Sequence, residues 1–209
     1  MSRSFDIIRN PFNKNEYLFD KKSITIESGV TVLIGCNGAG KSTMLHMIES
    51  DLKKENIQYI KYDNYSEGGS NAISSAGFHG NMETMATLAT SSEGEQITIN
   101  LSNFSKKIGD FVRKNEKESE LWILLDAIDS GLSIDNIIDI KRLFKLILSD
   151  NTNKDIYILV SANCYELCRN SNCFDVIRCK YTTFTDYEDY RSYIVETWHQ
   201  KYKRYEKKG

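Results

Sequence analysis

The stretch from Gly35 to Thr43, Gly-Cys-Asn-Gly-Ala-Gly-Lys-Ser-Thr, constrains this chain most strongly. It fits the pattern G-x-x-x-x-G-K-[ST], a glycine loop that cradles phosphates. The run before it, Thr31-Val32-Leu33-Ile34, is apolar and β-branched and reads as a buried strand; Thr43 to Glu49 reads as a helix. Gly38 and Gly40 permit backbone turns that a β-carbon hinders. Asn37, Gly38, Ala39, Gly40, Lys41, Ser42 and Thr43 then form an anion cradle of loop N–H groups capped by a helix N-terminus. Lys41 is expected to reach the outer phosphates, and the Ser42 hydroxyl to ligate Mg²⁺.

The 209 residues are enough for one domain with a sizeable core. A net charge of −2 gives no general sign of a polyanion partner. No apolar run approaches the roughly 18 residues of a membrane span, and Met1 to Asp6 lacks the apolar stretch of a signal peptide. The expectation is a cytoplasmic protein with no membrane partner. Five cysteines, four of them clustered from Cys164 to Cys179, contain no C-x-x-C pair. A zinc site there departs from the usual spacing, and buried, inert thiols are the simpler expectation.

Taken in order, residues 3–8 read as a strand broken at Asn10-Pro11, and 23–27 alternates as a half-exposed strand. Together they predict a small antiparallel sheet before the glycine loop. Phe12, Tyr17 or Phe19 is available there to stack on a base or to pack in the core. Residues 58–62 form the next strand. From Asp63 to Glu93 the composition turns to Gly, Ser, Asn, Ala and Met, the mark of a long loop. From Glu95 to Arg113 the apolar residues return at helical spacing.

Leu121 to Leu125 is a continuous apolar run, expected of a strand buried on both faces. It ends in Asp126, a carboxylate at a strand C-terminus, where open α/β sheets bind ligands. That position suits an aspartate that holds Mg²⁺ through water. Ser133 is a plausible N-cap for a helix carrying Ile137, Ile140, Phe144 and Ile147 on one face. Residues 156–160 make another buried strand, 165–169 a short helix, and 174–177 with 181–184 a hairpin. Thr185 and Glu188 read as a capping box for a last helix with Tyr190, Ile194 and Trp198 on one face. Its basic, aromatic end, Lys201 to Lys208, suits a solvated helix terminus or a nucleic-acid backbone.

This order resembles the ATP-binding cassette ATPases, on the Asn37-to-Thr43 loop and the block from Asp126 to Ser133. The soluble, non-transporter branch is closer: structural-maintenance-of-chromosomes, recombination-repair and small phage or bacterial ATPases carry similar loops. The resemblance implies an α/β P-loop NTPase with a mostly parallel central sheet, a small antiparallel N-terminal sheet and a reduced helical subdomain. Residues 1–62 and 121–184 would form the nucleotide core, 63–120 the subdomain and 185–209 a C-terminal helix, all within one domain. It further implies ATP and Mg²⁺ as cofactors, with Ser42 and Asp126 on the metal. Two copies would sandwich ATP in a homodimer, each nucleotide meeting the partner copy's signature turn. Ser92, Gly94 and Glu95 match part of that turn, and Ser130 to Ser133 resembles the loop that crosses the dimer.

Three departures qualify the resemblance. Ala127 stands where the family has the glutamate that polarises water, and alanine does no acid–base work. Asp129 is the nearby carboxylate available to replace it, completing a catalytic set of Lys41, Asp126 and Asp129. Asn163 stands in place of a switch histidine; it hydrogen-bonds a phosphate but carries no proton. Asp126 follows Lys41 by only 85 positions, so the subdomain is small, with Asp63 and Asn64 near the usual glutamine loop. The resulting expectation is an ATP-gated dimeric switch for a nucleic-acid or protein partner, with slow or conditional hydrolysis. The alternative is an ATP sensor that does not turn over. A small-molecule kinase is disfavoured because residues 63–110 hold no arginine for a lid.

Overall fold

The computed structural model describes residues 1–7, 19–63, 93–130 and 132–206, with side chains described outside 93–101 and 202–206. The strands are β1 (Ser2–Asp6), β2 (Ser23–Glu27), β3 (Gly29–Ile34), β4 (Tyr59–Asp63), β5 (Glu120–Asp126), β6 (Asp155–Ser161), β7 (Asn172–Asp175) and β8 (Lys180–Thr182). The helices are α1 (Lys41–Lys54), α2 (Glu93–Lys114), α3 (Ile134–Ser149), α4 (Tyr165–Cys168) and α5 (Tyr187–Glu206).

Six strands form the central sheet in the order β4-β5-β6-β3-β7-β8, and β1 pairs with β2 in a separate antiparallel ribbon. The central pairs are parallel except β7 with β8. This is the expected α/β fold, with its mostly parallel sheet and small N-terminal antiparallel one. Parallel strands need helices on both faces, and the side chains of β5 divide accordingly. Leu121, Ile123 and Leu125 join a core with Phe104 and Ile108 of α2, Ile137, Ile140 and Phe144 of α3, and Tyr190 and Tyr193 of α5. Trp122 and Leu124 join the other core, with Met44, Leu45, Ile48 and Leu52 of α1 and with Phe5, Ile24 and Ile26 of the ribbon. Trp122 is fully buried, stacked on Tyr157 at 4.2 Å and edge-on to Phe5 at 5.3 Å. Phe19, a candidate for base stacking, is likewise buried in this second core; Phe12 and Tyr17 lie outside the described residues.

The ribbon is fastened by charge and hydroxyl contacts. Arg3 donates to both oxygens of Glu120, at 2.8 and 3.1 Å, and pairs with Glu55. The Tyr181 hydroxyl accepts from the Glu27 N–H at 2.9 Å and meets the buried Thr31 hydroxyl at 3.1 Å. On α1, Glu49 receives Lys53 at 2.9 Å and Lys61 at 3.1 Å. Burial alone raises the Glu49 pKa, but these hydrogen bonds outweigh it and hold the carboxyl at about 2. The folded value lies below the unfolded one, so Glu49 stabilises the fold above about pH 4.5 and ceases to as pH falls toward 2. Glu49→Gln should flatten that part of the acid limb when urea midpoints are followed against pH.

Several local expectations shift. Ser133 is the N-cap residue of α3, but its side chain makes no cap bond. Hydrogen bonding to the Ser133 side chain is the leading cause that holds Asp135 below its ordinary value. The hairpin strands begin earlier than expected, at Asn172 and Lys180, because Asp175 turns the chain. Its Oδ1 accepts the Ile177 and Arg178 N–H groups at 2.9 and 3.0 Å. The capping box expected from Thr185 and Glu188 does not form. Asp186 Oδ1 accepts the Asp189 N–H at 2.9 Å, and Asp189 reaches back to the Thr185 N–H at 3.0 Å. On α5, Tyr190 is buried as expected and Ile194 packs partly buried against the core; Tyr193 and Thr197 complete that face, while Trp198 is 47% exposed.

Candidate nucleotide site

The parallel arrangement brings three strand ends to one edge. β3 runs into the glycine loop, β5 ends at Asp126 and β6 ends at Ser161. The loop turns through Gly38 (φ 74°) and Gly40 (φ 102°), left-handed positions where a side chain is strained. Gly40 is the N-cap of α1, so the helix begins at Lys41 with its N–H groups facing the loop. Ala39 N–H closes the turn on the Cys36 carbonyl at 3.0 Å.

Lys41 is buried, and its ammonium has three donors. They find the carbonyls of Gly35 at 2.7 Å and Cys36 at 3.3 Å, and Asn163 Oδ1 at 2.9 Å. Burial draws its pKa below the ordinary lysine value; the neighbouring Cys36, Asp129 and Asp126 pull the other way. Ser42 donates to Asp126 Oδ1 at 3.1 Å. A hydroxyl and a carboxylate side by side at this edge are the kind of hard oxygen donors that would hold Mg²⁺, directly or through water. Among the described residues no cluster of three or more His, Cys, Asp or Glu is arranged for a metal, and all five thiols are free. Hydrogen bonding to Cys173, together with burial, pushes the Cys168 thiol up, keeping it protonated and inert.

Two residues of the site carried no motif. Ser161 donates to Asp126 Oδ1 and accepts the Ala127 N–H at 2.9 Å. It thus holds the carboxylate and the residue after it in one frame. Its signal was present: a hydroxyl at the end of an apolar strand, on the same sheet edge as Asp126. Tyr190 donates its hydroxyl to the Asn163 carbonyl at 2.7 Å, fixing that loop from α5.

Ala127 is buried with φ 52°, a left-handed backbone for a residue with a β-carbon. Asp129 lies two residues on, and its Oδ2 accepts the N–H groups of Asn163 and Cys164, both at 2.7 Å. It therefore pins the end of β6 to the start of α4. Asp129→Ala should cost about 1–3 kcal/mol, because two N–H donors lose a charged acceptor. Asp129→Asn should recover part of this, and urea midpoints for both variants check it. Of the remaining candidates, Gly94 and Glu95 lie in the first turn of α2, and Asp63 pairs in register with Asp126. Ser92, Asn64 and Gly131 lie outside the described residues.

No protein-family model matches the chain, and no curated protein matches it in sequence. Among solved structures it is similar to MJ1267, an ATP-binding cassette of an ABC transporter in its ADP conformation. The TM-score is 0.50 at 13% identity, covering 94% of this chain and 97% of that one. Stu0660 of Streptococcus thermophilus matches at a TM-score of 0.43 and 11% identity, over 80% of this chain and 74% of that one, too weakly to bear on the fold. No helix among the described residues is long and apolar enough to cross a membrane. Taken with the strand order and the loop-to-helix turn at Gly40, the likeness to MJ1267 shows that this chain has an α/β P-loop fold similar to that cassette's.

Proposed function

We propose that the chain binds Mg-ATP at this edge and works as an ATP-gated switch with slow or conditional hydrolysis. The observation that carries it is the convergence of Lys41, Ser42 and Asp126 beside a glycine loop at a helix N-terminus. Each has a role that the chemistry demands. The loop and the N-terminus of α1 bind anionic oxygens, and Lys41 turns its ammonium to them from the two carbonyls and Asn163. Ser42 and Asp126 hold Mg²⁺, which when bound supplies charge neutralisation to the phosphates. Ser161 keeps Asp126 aimed at that position. Asn163, released by Lys41, offers its amide to a phosphate oxygen.

The slow turnover follows from Ala127, which brings no carboxylate. Losing a general base typically costs on the order of 10²–10⁴ in rate. We assign residual turnover to Asp129. A second copy of the chain is proposed to complete the site through Ser92, Gly94 and Glu95, and the chain is placed with the soluble, non-transporter branch. A nucleic acid or a protein then receives the switch. The second reading, an ATP sensor without turnover, is favoured by one observation: Asp129 Oδ2 is already committed to two backbone N–H groups.

Phosphate release under saturating Mg-ATP, with Lys41→Ala as the blank and with and without DNA, tests the proposal. Turnover above the blank supports the switch, and stimulation by DNA identifies its partner class. Bound ATP without turnover supports the sensor. A chain that binds no nucleotide overturns both.

A further inference from the structure

Helix α5 carries no nucleotide motif, yet it touches the site twice. Near its start the Tyr190 hydroxyl holds the Asn163 carbonyl at 2.7 Å. Farther along, the Lys201 ammonium donates to the Asn37 carbonyl at 2.8 Å. At about 1.5 Å of rise per residue, the two contacts are roughly 16 Å apart along the helix. The helix is anchored up to the second contact. Tyr193 and Thr197 are buried, Arg178 pairs with Glu196 at 2.6 Å, and Gln200 reaches the same carboxylate at 3.0 Å.

Lys201 sits on the crown of the glycine loop. A β-carbon at Gly38 would lie 2.6 Å from its Nζ, so only glycine there admits the ammonium so close. The loop gathers N–H groups toward an anion, and Lys201 adds a full positive charge at its lip. Among the described residues its acceptor is a neutral carbonyl, a weaker partner than a phosphate oxygen. A lysine's flexible four-carbon stem lets the charge swing by a few ångströms without moving the helix.

We propose that Lys201 is a second phosphate-binding lysine, whose ammonium turns from the Asn37 carbonyl to the phosphate oxygens of a bound nucleoside triphosphate. This rests on the Mg-ATP reading of the site. It makes α5 part of the binding machinery and gives the site a preference for the more highly charged nucleotide.

Calorimetric titrations with Mg-ATP and Mg-ADP test it on the whole chain, Lys201→Met, Lys201→Gln and Lys201→Arg, with thermal unfolding measured in buffer alone. The expected result is about a tenfold or greater loss of ATP affinity in both neutral variants, in line with one charged hydrogen bond. ADP should lose several-fold less, arginine should stay within about threefold of the parent, and the unfolding temperatures should not move. Wild-type ATP affinity in Lys201→Met and Lys201→Gln overturns the proposal, as do equal losses for ATP and ADP. If the parent chain binds ATP and Lys41→Ala does not, such a failure falls on Lys201 alone. A parent chain that binds neither nucleotide overturns the underlying reading as well.

Discussion

Lys41→Ala should weaken Mg-ATP binding by about 10²–10³-fold, the worth of two charged hydrogen bonds to phosphate. The ammonium is buried and already meets three acceptors, so its geometry is set before any nucleotide arrives. Alanine leaves the Gly35 and Cys36 carbonyls facing the anion site, which adds repulsion to the lost attraction. Lys41→Met separates the two effects, since it keeps most of the volume and removes only the charge. Titration with a fluorescent ATP analogue checks both variants. Retention of near-parental affinity in Lys41→Met would show that the phosphates do not rely on this cation.

Ala127→Glu should raise phosphate release by about 10²-fold or more, by supplying a general base after Asp126. The position is not neutral for stability. The left-handed backbone costs alanine and glutamate alike, but Ala127 is buried, and a longer, ionisable side chain there must be accommodated and desolvated. Its N–H must also stay on Ser161 for Asp126 to remain aimed. The expected variant is therefore faster and less stable. Single-turnover phosphate release, measured at saturating ATP, distinguishes a chemical gain from a change in binding. An unchanged single-turnover rate with intact ATP binding would place the limit elsewhere, with Asn163 the next position to examine.

The parts of the site that were legible in the sequence are those encoded within one short stretch. Gly35 to Thr43 dictates a turn that few other sequences make, and the continuous apolar run of β5 fixes where Asp126 must fall. The alternation of 23–27 likewise gave β2 its observed limits. What escaped was decided across distance. Ser161, Tyr190 and Lys201 meet the site only because β6 and α5 pack beside it, and no local pattern records that packing. At the start of α5, Asp186 accepts the Asp189 N–H and Asp189 accepts the Thr185 N–H, a choice among neighbouring acceptors that spacing alone does not resolve. Along α5, Thr197 is buried where the spacing predicts Trp198 to be.

The two tryptophans of the chain end up in opposite surroundings. Trp122 is sealed between Tyr157 and Phe5 in the centre of the sheet, and Trp198 is half in solvent on α5, three residues from Lys201. Their fluorescence is therefore separable by colour and by quenching. Iodide should reach Trp198 and not the fully buried Trp122, so the quenchable emission should follow events on α5, while the protected emission should stay constant until the sheet itself comes apart. Binding at the glycine loop and global unfolding can thus be read as two signals from the unlabelled protein.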